Sequence, residues 1–416
     1  MELYSTISTI KKVGFDASLS DQLNTIAQDI VDNRNKLETF GLLGGKAGIT
    51  ILYAYLSQIY PGKHYTDTTF ELLEELIDAL EHQTLSHTMS SGVAGIGFVL
   101  QHLSNIGMLT EENRFDLCEI DQLVNRGAEF DFRIGNWDPL HGMTGLGIYF
   151  LERNKRTNQT ASLEKIVDYL SQLSTSVDSD RVWITPGYQK VSNNNYNFGM
   201  AHGMPGILSF FAQVYQLGIR QEVISEMITS CLSFLLNHEL IHDPIYCFPT
   251  GIEVDLTAGK VQHESRLAWC YGDLCMAFAL IHCGKALNRA DWINKGLAVA
   301  AITTRRNFSD AGCVDAPFCH GSMGLVHLYK RLYWSTRDKI FRNASDFWME
   351  LTIKHFYKPG EGAGGYYFRT FNEDENKYEL VPNYSLLEGS AGIALVLMTY
   401  LFDQKPEWDI IFLANV

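Results

Sequence analysis

The chain has 416 residues, 46% hydrophobic and 19% charged, which supplies ample apolar material for a core and excludes a disordered chain. Its formal net charge of −15 speaks against a nucleic-acid partner, because backbone binding relies on Lys and Arg displacing counterions. No stretch approaches the roughly 18 apolar residues of a membrane span, so no integral membrane segment is expected.

The opening residues, "MELYSTISTIKKVGFDASLS", lack the basic start and apolar run of a secretory signal. The eight cysteines are scattered, unlike the dense framework of a secreted disulfide scaffold. A reduced, cytoplasmic protein is expected, with peripheral attachment to a membrane-associated complex left open.

From residue 45 onward one short pattern recurs: Gly, two variable residues, Gly, then Ile or Leu. It reads "GKAGI" at 45–49, "GVAGI" at 92–96, "GMTGL" at 142–146 and "GMPGI" at 203–207. It returns as "GSMGL" at 321–325 and "GSAGI" at 389–393. A degenerate copy, "GDLCM" at 272–276, has Cys275 where the second glycine belongs. Successive first glycines stand 47 to 69 residues apart, a period that signals a repeat architecture.

Each copy runs into an apolar stretch of helical length, such as "ITILYAYLSQIY" or "ILSFFAQVYQLG". Amphipathic stretches such as "FELLEELIDALEHQ" and "SLEKIVDYLSQL" lie between, with apolar residues at three- and four-residue steps. The pattern predicts an all-α fold, an α/α toroid of seven helical hairpins in inner and outer layers. One hairpin per repeat makes about fourteen helices in a single domain over residues 1–416. Where inner helices begin close together around an axis, glycines let backbones approach. Aromatic and β-branched text in "VWITPGYQ", "IYCFPTGIEVDLTAGKVQ" and "GGYYFRTFNEDENKYELVP" predicts small β insertions near 178–198, 240–264 and 358–384.

The residues just before the glycines carry the chemistry. Early copies follow Gly44 and Ser91; later ones follow His141, His202, Cys270-Tyr271, Cys319-His320 and Glu388. In a toroid these positions ring one end of the axis. Cys270, Cys319 and His320 are donor types that zinc prefers, and three protein ligands leave a fourth position open. The proline and glycine of "DAPFCHGS" suit the non-helical backbone that adjacent ligands need. On the residues alone, the two cysteines also fit as buried small hydrophobes. His202, in "NFGMAHGMPGI", is a candidate general acid or base, beside the alternative of a hydrogen-bonded structural histidine. Asp138, in "NWDPLHGM", is a candidate partner for it, beside the alternative of a turn-forming Asp-Pro.

"RLAWCYG", "FCHG" and "AHGMPGI", in one chain with the glycine repeat, resemble the lanthionine synthetase C-like cyclases of lantibiotic biosynthesis. The likeness covers nearly the whole chain. It implies a toroid with one zinc ion held by Cys270, Cys319 and His320, with His202 and Asp138 serving near the metal and Arg266 and Tyr271 lining the site. It implies addition of a peptide cysteine to dehydroalanine or dehydrobutyrine in a dehydrated precursor peptide, closing a thioether ring, with a dehydratase as a possible partner. Attack at the β-carbon leaves an enolate needing charge stabilisation and a proton, for which His202 is the candidate acid, with Asp138 or Arg266 positioning it or the enolate.

The pattern departs from the family in one place. The family usually follows Trp-Cys-Tyr-Gly with one residue and then Pro-Gly, whereas this chain has Asp273-Leu274-Cys275. That changes how the helix begins and adds a second cysteine near Cys270. Two alternatives stay open: a relative that adds glutathione to dehydrated protein residues, and a non-catalytic toroid, stapled by zinc, that binds a peptide or partner enzyme.

Overall fold

A computed structural model describes residues 2–185, 194–254 and 265–416. Parts of two expected β insertions, at 186–193 and 255–264, lie outside the described residues.

The first helix, α1 (Glu2–Asn33), precedes the glycine repeat. Six helical pairs follow: α2 (Lys46–Ile59) with α3 (Tyr65–His82), α4 (Val93–Asn105) with α5 (Cys118–Ile134), and α6 (Met143–Asn154) with α7 (Thr160–Leu173). The next are α8 (Met204–Gln216) with α9 (Gln221–Asn237), α10 (Asp273–Ala286) with α11 (Ala290–Thr303), and α12 (Ser322–Thr336) with α13 (Lys339–His355). The last described helix is α14 (Ser390–Phe402). Every even-numbered helix starts on the residue after the first glycine of a repeat, and these form the inner layer. Their sequences are apolar all round because they are buried all round: in α4 only Asn105 escapes burial. The outer helices bury one stripe, as α3 does with Thr68, Thr69, Leu72, Leu73, Leu76 and Ala79.

The inner helices α2, α4, α6, α8 and α10 pack in succession, and α12, α14 and α2 continue the circuit. The seventh hairpin is unlike the others, for α14 takes its outer partner from α1 at the opposite end of the sequence. The fourteen-helix toroid expected from the repeat is thus present, closed by helices far apart in the chain.

The circuit is also drawn by backbone hydrogen bonds between the loops that precede the inner helices. The N–H groups of Ala201, Cys270, Cys319, Leu387 and Leu43 donate in turn to the carbonyls of Cys270, Cys319, Leu387, Leu43 and Ser90, at 2.9–3.3 Å. The second glycine of each repeat explains why the loops come this close. A Cβ on Gly48 would lie 2.4 Å from the Leu42 carbonyl oxygen and 2.6 Å from Cβ of Leu386, in the neighbouring loop. A Cβ on Gly95 would meet the Met89 carbonyl oxygen at 2.3 Å and Leu42 Cβ at 2.9 Å. The glycines are contact surfaces between successive repeats.

Short strands decorate this frame. β1 (Thr175–Val177) and β2 (Asp180–Val182) form a hairpin, and β3 (Ile184–Thr185), β4 (Asn195–Asn197) and β5 (Gly251–Glu253) an antiparallel sheet in that order. β6 (Phe368–Asn372) and β7 (Lys377–Val381) pair in register Phe368↔Val381.

Beyond α14 the chain turns back into the ring. Asp409 sits fully buried against Arg331 and His327 of α12, and the Leu413 carbonyl accepts from His282 Nε2 of α10 at 3.1 Å. Asn415 reaches Gln213 of α8 at 3.3 Å. This plug fills the axis beneath the loops that carry the cysteines.

Candidate metal centre

Cys270 ends the loop before α10, and Cys319 and His320 end the loop before α12. The backbone bond from Cys270 N–H to Cys319 O, 3.3 Å, holds the two loops side by side. One donor atom from each of Cys270, Cys319 and His320 then falls within 4.8 Å of the other two. Among the described residues no other group of three His, Cys, Asp or Glu side chains gathers in this way. The cluster occupies the wall of a cavity of about 680 Å³ at the mouth of the ring, whose rim also carries Gly44, His141, His202 and Glu388. The loops of all seven repeats contribute to that wall.

The donors fit a metal such as zinc. Both cysteines are buried free thiols and the His320 side chain is mostly buried, so the two sulfurs and the imidazole already lie together. The thiols act as a pair. The hydrogen bond from Cys319 holds the Cys270 thiol well below the ordinary thiol range against the effect of burial, with His320 and Arg266 adding to it. The Cys319 thiol is pushed up in return, by that same hydrogen bond and by burial. The pair therefore favours one thiolate hydrogen-bonded to one thiol.

Two supports of the cluster carry no sequence signal of their own. Asp315, buried, places Oδ2 3.7 Å from His320 Nε2 and accepts the Arg369 N–H at 3.1 Å. A carboxylate at ion-pair distance attracts the Nε2 edge of the imidazole, which would leave Nδ1 for a metal. Below the cluster, the Trp269 indole N–H donates to the Phe412 carbonyl at 2.7 Å, and the Phe412 ring stacks on Phe318 with centroids 4.2 Å apart. Trp269 and Phe318 each immediately precede a cysteine of the cluster, so the plug braces both thiols from beneath.

Across the cavity, His202 Nδ1–H donates to Asp138 Oδ2 at 2.8 Å. The other oxygen of Asp138 accepts the N–H groups of Leu140 and His141, each at 2.8 Å, so the turn that the Asp-Pro pair builds also aims the carboxylate. Burial opposes charge on His202, yet the Asp138 bond and charge prevail and raise its pKa above the ordinary histidine value. Asp138 is correspondingly held below the usual carboxylate range, again against burial. Nε2 of His202 is left for the cavity. Tyr271 lies between the histidine and the cysteines: its ring is 6.5 Å from that of His202, and its hydroxyl accepts from Asn197 Nδ2 at 3.2 Å. Arg266 lines the same cavity from the fifth loop. The structure thus brings Cys270, Cys319, His320, His202, Arg266 and Tyr271 to one cavity, with Asp138 behind His202.

Comparison with known proteins decides the family. A model of the family described as lanthionine synthetase C-like protein matches residues 37–413. The chain belongs to the lanthionine synthetase C-like family. It is 24% identical over 314 residues to the nisin biosynthesis protein NisC of Lactococcus lactis subsp. lactis, covering 69% of this chain and 73% of that protein. A solved structure, nisin cyclase, superposes with a TM-score of 0.71 at 19% identity, over 95% of this chain and 98% of that one. The family resemblance and the toroid expected from sequence are both borne out. No helix among the described residues is long and apolar enough to cross a membrane.

The departure at Asp273-Leu274-Cys275 resolves within this family fold. Gly272 takes φ +106°, a conformation open to glycine, and α10 begins at Asp273 as its counterparts do. Asp273 is buried in an ion pair with Arg306, and its carboxylate accepts the N–H groups of Cys247 and Phe248, tying the segment before β5 to the helix. Cys275 points into the packing, its thiol 2.9 Å from the Gly272 carbonyl and 3.3 Å from that of Phe198. Burial pushes its pKa far up, so it stays a neutral thiol, and it is not part of the metal cluster. It fills the second-glycine position as a small interlocking residue.

Proposed function

We propose that this chain is a zinc-dependent peptide cyclase that adds cysteine thiols to dehydroalanine or dehydrobutyrine in a dehydrated precursor peptide, forming lanthionine or methyllanthionine rings. The observation that carries the reading is one cavity holding a Cys270–Cys319–His320 donor set opposite an Asp138–His202 pair. Membership of the lanthionine synthetase C-like family and likeness to a nisin biosynthesis protein support the choice of substrate.

Cys270, Cys319 and His320 would hold the zinc, which when bound supplies a thiolate from a substrate thiol whose free pKa is about 8.5. The chain's own residues do the rest. Tyr271, a neutral phenol kept protonated chiefly by burial, borders the path between the cysteines and His202. Asp138 holds His202 with Nε2 toward the cavity and favours its protonated form. In its protonated form His202 is the acid that delivers a proton to the α-carbon of the attacked residue. Arg266, beside Cys270, contributes positive charge at the sulfur end of the site. A cluster of three protein donors favours chemistry over a closed four-ligand staple. Because the acceptor is a dehydrated residue, an enzyme that dehydrates Ser or Thr must act first.

The test is direct. The purified protein is expected to hold about one zinc per chain and to consume peptide thiols on a dehydrated Ser/Thr/Cys peptide, with no change in peptide mass. Cys319→Ala should lose both metal and thiol consumption. Full ring closure by Cys319→Ala would sink the mechanism, and a preference for added glutathione over the peptide's own thiol would reassign the substrate.

A further inference from the structure

His141 opens onto the cavity from the third loop, yet neither the metal cluster nor the Asp138–His202 pair uses its side chain. It is held on three sides. Ser90 Oγ, itself buried, lies 2.8 Å from Nδ1. The ring stacks on that of His202 with centroids 5.6 Å apart and planes 21° from parallel. Its backbone N–H donates to Asp138 Oδ1 at 2.8 Å. With the Ser90 hydroxyl donating to Nδ1, Nε2 carries the hydrogen and faces the cavity as a donor.

The order of groups round the wall is informative. From the sixth loop back to the third it runs Cys319 and His320, then Cys270 and Tyr271, then His202, then His141. A reacting pair has its own fixed order: sulfur, β-carbon, α-carbon, carbonyl. Laid along the wall with the sulfur at the cysteines and the α-carbon at His202, the substrate places its carbonyl oxygen at the next group, which is His141. Arg266 stands on the fifth loop with Cys270, at the sulfur end, and so is the poorer candidate for that oxygen.

We propose that His141 is a further catalytic residue of ring closure, whose Nε2–H receives the carbonyl oxygen of the dehydrated residue and holds the enolate that forms there. The assignment rests on the cyclase reading. The thiol gives up its proton to solvent, and the sulfur–β-carbon bond forms as the Cα=Cβ π pair moves onto the α-carbon and carbonyl oxygen. His202 then protonates the α-carbon and is recharged from solvent, so the addition is balanced and redox-neutral. A neutral donor suits this place. Burial, opposed by Asp138 and aided by the charge of His202, holds the His141 pKa below its ordinary value while that of His202 is raised. Two stacked imidazoles thus divide the work, one charged acid and one uncharged donor.

The test uses the zinc-loaded protein and a dehydrated Ser/Thr/Cys peptide, with ring closure followed by loss of free thiol. His141→Phe keeps the ring's bulk without the donor and is expected to lower kcat about 100-fold, the usual effect of losing one oxyanion donor, with KM and zinc per chain unchanged. His141→Gln, which restores an N–H, should recover part of that loss. Nitrogen-15 spectra of the resting protein should show His141 as the Nε2–H tautomer. An unchanged kcat in His141→Phe, loss of zinc from it, or an Nδ1–H tautomer would each overturn the assignment while leaving the cyclase reading standing. A zinc-loaded wild-type protein unable to close rings would overturn both.

Discussion

Asp138→Asn tests the acid by reversing one hydrogen bond. Asp138 accepts from His202 Nδ1 with one oxygen and from two backbone N–H groups with the other. Asparagine can keep its single oxygen on the backbone pair, which turns its NH2 toward His202. The imidazole must then accept at Nδ1, and its doubly protonated form faces a donor where it had a carboxylate. The lost interaction is one charge-assisted hydrogen bond at 2.8 Å between partly exposed side chains, 34% and 22% accessible. Bonds of that kind contribute about 1.5–3 kcal/mol. Discounted by about half for solvent screening, the loss lowers the His202 pKa by about half a unit to one unit at ~1.4 kcal/mol per unit. The sign follows from the raised pKa of His202: in the wild type the acid form persists above about 6.5 and is lost as pH rises through the folded value. In Asp138→Asn the same limb should move to lower pH, so ring closure at pH 7 slows by up to about 3- to 10-fold with zinc retained. The pH profile of kcat/KM and the histidine titration by NMR both read this. A high-pH limb that stays in place would refute the role of the pair.

Three further outcomes are expected. Asp315→Asn should weaken zinc binding about 10- to 100-fold, read by competition with a chromophoric chelator, because the carboxylate behind His320 is lost. Cys275→Ala should keep one zinc per chain and wild-type ring closure, read by metal analysis and thiol loss, because its thiol meets only carbonyls. Asp409→Ala should cost about 3–5 kcal/mol in chemical denaturation, because it leaves the buried Arg331 guanidinium without its carboxylate.

The inner layer was legible because its cause is local. Every inner helix starts one residue after the first glycine of a repeat, and in all repeats but the fifth a second glycine follows three residues later, where Gly48 and Gly95 touch the neighbouring loop. The gathering of Cys270, Cys319 and His320 was legible for the same reason, since they sit just before the first glycines and the circuit brings them together. The closing partner of α14 was not, because an outer helix needs no glycine and α1 carries no repeat. Nor were Asp315, the Ser90–His141 bond or the Phe412 brace under Trp269 and Phe318. Each joins residues whose pairing depends on the finished ring, and no spacing in the chain encodes it. Cys275 is different again: it stands in a position whose requirement is small size.

The pairing of α14 with α1 has a consequence for how the protein is made. As the chain leaves the ribosome, six hairpins can assemble in order, but the circle stays open until Leu387 meets Leu43 and α14 finds α1. The loops carrying Cys270 and Cys319 are synthesised before both the closing helix and their floor, built from Trp408–Phe412. A nascent chain would therefore hold both thiols while lacking the surface that braces them, which ties competence for chemistry to completion of the ring.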